Sequence, residues 1–114
     1  MRLKINEQIL FNHLVIADSF ITRLKGWLGK RAISDNDALL ITPCRSVHSF
    51  GMKFTIDVLF ISSEHVIVCL LENLEANRLT PLVKDAYYVI EINGGLINKL
   101  NIKLGQIVEI CNNK

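Results

Sequence analysis

The sequence predicts one mostly β domain of the α+β class: a compact antiparallel β-barrel or sandwich with one packed helix near 18–29 and a short helix near 95–102. Three observations lead there. The chain has 114 residues, a length that fits one core and not two, so 1–114 reads as a single domain. Half of the residues are apolar and the mean hydropathy is +0.31, enough to bury a core and too much for disorder. Short runs of Val, Ile, Leu and aromatic residues, punctuated by Gly, Asn, Asp and Pro, outnumber helical periodicities by about six to two, and that spacing belongs to antiparallel β architectures.

The elements follow in order. "RLKI" (2–5) alternates polar and apolar residues as a half-buried strand does, and Asn6-Glu7 makes a turn. "HLVIA" (13–17) is a second strand, or the first continued after a bend. Asp18 or Ser19 offers an N-cap. Phe20, Leu24, Trp27 and Leu28 then recur on one helical face, with Trp27 as a core anchor. Arg23, Lys25 and Lys30 lie off that face or near its end, and Gly29 stops the helix. Asp35-Asn36-Asp37 turns the chain into a strand over 38–42, which Pro43 ends. "IDVLFIS" (56–62) and "VIVCLL" (66–71) are apolar on both faces, as paired interior strands are, with Ser63-Glu64-His65 as the turn between them. "ENLEANRLTPL" (72–82) is irregular. "AYYVIEI" (86–92) is another strand, and the following "NGG" breaks it. "LINKLNIK" forms the short helix, and "GQIVEIC" (105–111) closes the chain as a last strand.

Bulk properties exclude several function classes. The formal net charge is +2 and spread along the chain, so the basic footprint of a nucleic-acid binder is missing. The N-terminal "MRLKINEQIL" lacks the apolar core and cleavage site of a signal peptide. The longest apolar run, Val66 to Leu71, falls far short of the roughly 20 residues a membrane span needs. A soluble, cytoplasmic protein is expected. Cys44, Cys69 and Cys111 are an odd count without a CxxC pair, which suggests reduced thiols, and Cys69 reads as a small core hydrophobe. Cys44-x-x-x-His48 lacks the spacing of a four-ligand zinc site, so neither a metal nor a cofactor is expected.

Chemistry concentrates in "SVHSFGMKFTID" (46–57). Gly51-Met52 suits the tip of a type II′ hairpin that would set Phe50 against Lys53, His48 against Thr55 and Ser46 against Asp57. A wider loop through "FGMKFT", with Gly51 admitting a close approach, is the alternative. Asp57 alternates with Leu59 and Ile61, so its carboxyl starts on an apolar face, where it costs several kcal/mol unless donors meet it. Arg45, Ser46, His48, Lys53 and Arg23 are candidate donors that would make a polar pocket; the other solution is backbone N–H groups of an adjoining loop. Arg23 is read as a surface residue, or as a partner of Asp57 or Glu91. Glu91 is read as solvated at a strand end, or paired with Asp57.

The ligand-binding set expected from this reading is Arg45, Ser46, His48, Gly51, Met52, Lys53, Asp57 and Glu91, around a small ligand or peptide. A hydrolase or transferase would use Cys44 or Ser46 as nucleophile, His48 as base and Asp57 to orient it. An extended chain separates Cys44 from His48 by about 13 Å, so this requires "CRSVH" to coil. A third possibility is an interaction subunit docking through strand edges or exposed Phe50 and Met52. Binding is preferred over catalysis because no complete catalytic constellation is visible.

Four segments, "ADSFITRLKGWLGK", "CRSVHSFGMKFTIDVLFI", "YYVIEINGG" and "IKLGQIVEI", resemble in their order the domain-of-unknown-function family 192. The resemblance runs from about Ala17 onward and is most specific at Phe50, Met52, Lys53 and Ile56-Asp57. It implies a small β-rich fold, a sandwich or barrel resembling a jelly roll with little helix, and no established activity. It also implies a possible pilus or secretion context, and many such proteins look exported, whereas this chain shows no signal. Gly26-Trp27-Leu28-Gly29 stands where Gly-Leu-Met and a basic residue are frequent, and Gly105-Gln106 where Gly-Asp is common. The second departure removes an acidic residue and further weakens a metal site at that end.

Overall fold

The structure, a computed structural model, describes residues 1–112. Among them are eight strands and two short helices: β1 (Arg2–Ile5), β2 (Gln8–Phe11), β3 (His13–Ala17), α1 (Phe20–Lys25), β4 (Asp37–Ile41), β5 (Ile56–Ile61), β6 (Ile67–Leu74), β7 (Tyr88–Asn93), α2 (Leu96–Lys99) and β8 (Val108–Cys111). They form a three-stranded sheet in the order β2-β1-β8 and a five-stranded sheet in the order β3-β4-β7-β5-β6. The arrangement is sandwich-like and does not close into a barrel. β3 and β4 run parallel, and the other strand pairs are antiparallel.

Two apolar layers hold the molecule. Leu3, Ile5 and Val108 from the small sheet meet Leu40, Leu59 and Ile90 from the large one, with Leu96 and Ile97 of α2 closing the end. On the other face of the large sheet, Leu39, Ile41, Val58 and Val89 pack beneath Trp27, Val47 and Ala86. The large sheet is therefore covered on both faces, which explains why β5 is buried at every position and apolar at all of them but Asp57. β7 lies at the centre, bonded to β4 on one side and β5 on the other.

Several local expectations change. β2 had no strand pattern strong enough to read, because it is a short edge strand; Asn6 and Glu7, both at positive φ, join it to β1 as a tight hairpin. The helix expected over 18–29 is only six residues long, although Ser19 does cap it, with Thr22 returning the bond. No hairpin forms at Gly51-Met52. The wider loop is adopted instead, because residues 45–49 pair with the irregular segment after β6: Ser49 N–H donates to Arg78 O, Thr80 N–H to Val47 O and Val83 N–H to Arg45 O, each at 2.9 Å.

Asp57 takes the second of its two solutions. It is fully buried on the face shared with Leu59 and Ile61, where its oxygens accept from Asn73 N–H and Ile97 N–H, each at 2.8 Å. One carboxyl thus ties the bulge at Asn73 of β6, a residue at positive φ, to the first turn of α2. Asp57→Ala leaves two N–H groups unmet and is expected to cost roughly 2–5 kcal/mol. Urea unfolding checks this; a loss below about 0.5 kcal/mol, the size of an ordinary surface substitution, would contradict it.

Candidate functional site

A cleft of about 250 Å³ lies between α1 with its following turn and the loop over residues 43–52, on the face of the large sheet opposite Asp57. The helix side is held by Arg23, whose Nε donates to Ser19 O at 3.3 Å and whose Nη1 donates to Pro43 O at 3.1 Å. No residue of α1 is buried. Phe20, Leu24 and Leu28 are 72%, 59% and 44% exposed, whereas Trp27, in the turn that follows, is buried. The apolar stripe legible in the sequence is thus real, but it faces a cleft and not the core.

The opposite wall carries His48 stacked on Phe50, ring centroids 5.3 Å apart and planes at 23°, with Met52 beyond. Gly51 sits at φ 76°, and a Cβ there would come within 2.8 Å of Leu28 Cδ1. The two walls therefore touch at this position, and a side chain would force them apart.

The floor holds Glu91. Its position on central β7 is flanked in register by Leu39 on β4 and Val58 on β5, so apolar strands surround it. It is 3% exposed. No hydrogen bond or charge from the described residues supports its carboxyl, and burial alone pushes its pKa up to about 8. Arg2 Nε is the one wholly inaccessible side-chain polar atom without a partner among the described residues. The Glu91 oxygens therefore retain a little accessible surface, and Glu91 borders the cleft. Near neutral pH this group is mostly the uncharged acid, with one O–H donor and a carbonyl acceptor.

Cys44 is its neighbour. Its Sγ donates to Ser46 O at 3.0 Å. Burial raises the thiol above its ordinary value and outweighs the lowering by the Ser46 backbone; the charge Glu91 would carry adds to the rise, and Arg23 opposes it least. A thiol held in that form is a weak nucleophile.

The sequence-predicted residues divide accordingly. Cys44, Ser46, His48, Met52 and Glu91 border the cleft. Arg45, Gly51, Lys53 and Asp57 do not, though Gly51 sets the contact between the walls. Asp57 and Glu91 project from opposite faces of the sheet and form no acidic pair. Nor is Glu91 solvated at a strand end. Arg23 pairs with neither acid and bonds to carbonyl oxygens. No hydrogen bond links Cys44, Ser46, His48 and Asp57 side chains as a nucleophile, base and orienting acid would require. Among the described residues no three His, Cys, Asp or Glu side chains converge as a metal site needs. Phe20, Leu24 and Leu28 were missed as lining residues because a helical apolar stripe normally marks a core contact.

Comparison with known proteins agrees with the architecture. The profile of the family described as Uncharacterized ACR, DUF192, matches residues 1–110. No curated protein matches the chain. A protein of unknown function from Novosphingobium aromaticivorans has a similar structure, with a TM-score of 0.79 and 21% identity over 85% of this chain and 74% of its own. A putative transcription regulator from Sinorhizobium meliloti superposes with a TM-score of 0.75 and 21% identity over 84% of this chain and 79% of its own. At these identities the likeness establishes the fold alone.

Glu91 makes stability depend on pH. The unfolded chain releases its proton near the ordinary value of 4.5, whereas the folded protein holds it to about 8. Between those values the folded state binds more protons, so stability falls as pH rises and levels off above the folded value. The full effect is roughly 5 kcal/mol. Glu91→Gln should remove this slope and be the more stable form at alkaline pH, as read from urea midpoints across the range. Parallel profiles for the two proteins would contradict it.

Proposed function

The chain belongs to the DUF192 family, and from that premise we propose that it is a binding module for a small ligand, received in the cleft above Glu91. The observation that carries this reading is the combination of a nearly buried carboxyl, unpartnered among the described residues, with walls of apolar side chains left in contact with solvent. Each alone is costly: a buried polar group lacking a partner is destabilising by about 1–3 kcal/mol. Exposed Phe20, Leu24 and Phe50 forgo the favourable burial that similar side chains obtain in a core. A molecule with an apolar body and a hydrogen-bonding head relieves both costs at once, and a few convergent polar groups within apolar walls are the usual composition of ligand sites.

The cleft volume supports a small occupant, since cavities of about 150 Å³ accept benzene. Binding is favoured over acyl transfer because Cys44 and His48 share the cleft without an activating hydrogen bond, and Asp57 is engaged elsewhere by two backbone groups. All three cysteines are free thiols, which supports a reducing, cytoplasmic setting. No helix of the described residues is long and apolar enough to cross a membrane.

Trp27 is the only tryptophan, and it borders the cleft. Its indole signal is therefore a direct probe. Screening small amphipathic fragments by NMR should yield molecules that shift the Trp27 indole resonance together with backbone signals over 44–52. Leu24→Ser, at an exposed position, should leave unfolding unchanged within about 0.5 kcal/mol and weaken those fragments by roughly fivefold or more. Fragments gathering only elsewhere, for instance beside Tyr87 and Ile110, would overturn the reading.

A further inference from the structure

Resting on that cleft reading, we infer that the ligand carries a neutral primary carboxamide or lactam edge on a small flat apolar body, with its N–H and C=O meeting the carboxyl of Glu91. An uncharged carboxyl presents one donor and one acceptor side by side, and the complement of that pattern is a group with an adjacent acceptor and donor. A primary carboxamide or lactam has both on one edge; a trans peptide group points them in opposite directions and does not.

Charge argues against the other heads. Arg23 and Lys25 border the cleft from the helix side and His48 from the loop side, while β4 and β5 face Glu91 with only Leu39 and Val58. A cationic head would pass two cations and require Glu91 to ionise in an apolar setting, and such a buried pair often fails to recover its desolvation cost. An anionic head would reach a floor whose polar groups are a carboxyl and a thiol, with Arg23 engaged by Ser19 O and Pro43 O. A neutral head meets Glu91 in the form that burial already favours near neutral pH. The flat body follows from the walls, where the stacked His48 and Phe50 rings face Leu24 and Leu28.

Three probes of nearly equal size separate the classes: benzamide, benzylamine and benzoate, each titrated against Trp27 fluorescence and its indole NMR signal. Benzamide should bind at least about tenfold more tightly than either of the others near pH 7. Its affinity should stay level below about pH 8 and fall by up to ~10-fold per unit above it, as Glu91 loses its proton. Glu91→Gln, which keeps a neutral donor beside an acceptor, should retain benzamide binding and lose the alkaline fall. Glu91→Leu should lose the benzamide preference. If benzylamine binds best with affinity rising as pH rises, or benzoate binds best, the carboxamide assignment is wrong and the cleft reading survives. If none of the three moves the Trp27 signals while other fragments do, the carboxamide assignment fails and the cleft reading survives; if no fragment moves them, both fail. The wild-type pH profile keeps the assignment testable should either variant not fold.

Discussion

A single carboxyl, buried on the middle strand of a sheet and met by no donor among the described residues, is the constraint around which the candidate site is arranged. Glu91 lies between Leu39 and Val58 on strands that are themselves apolar. A charge at such a position would be expensive, so the proton stays, and the residue becomes a neutral hydrogen-bonding group at the pH of most cells. Everything above it is consistent with that character. The helix turns its apolar stripe inward over the cleft, the His48–Phe50 stack closes the other side, and Arg23 is held at the helix base by carbonyl oxygens and not by the acid.

The sheet carries two buried acids and treats them in opposite ways. Asp57, facing the inter-sheet core, is matched by two backbone N–H groups and locks β5, the bulge at Asn73 of β6 and α2 together. Glu91, facing the other layer, is matched by nothing in the described chain. The first arrangement lowers the energy of the fold. The second raises it, by an amount that grows as pH rises. Burial alone therefore does not distinguish the two acids; the difference is in the donors.

Much of the architecture was legible in the sequence because it follows from period-two patterning and turn chemistry. The paired runs at 56–62 and 66–71, the strand before Pro43, the Ser19 cap and the closing strand all appear near their expected places. The expected hairpin at Gly51-Met52 did not, because its supposed partner strand is replaced by residues 78–83, whose irregular composition hides their pairing. The lining of the candidate site is legible in part. Cys44, Ser46, His48, Met52 and Glu91 stand in the sequence as candidates and border the cleft, whereas Asp57 lies elsewhere, because its donors, two backbone N–H groups distant in sequence, carry no side-chain signature. Glu91 reads as solvated at a strand end because a carboxylate is rarely buried without a partner. What makes it central is the pairing of β7 with both β4 and β5, a long-range fact that local pattern does not encode. The helix stripe misled for the opposite reason: its periodicity was correct and its partner was not the core.

The protonation of Glu91 is the claim to test most directly. Carboxyl carbon-13 NMR on protein labelled at glutamate, with Glu91→Gln used to assign the signal, follows that one group through a pH titration. The account expects the Glu91 carbon to remain in its protonated position at neutral pH and to shift with a midpoint near 8, well above the ordinary 4.5. A midpoint at the ordinary glutamate value would mean that the carboxyl is hydrated or paired, and the cleft would lose the neutral floor on which its proposed chemistry rests.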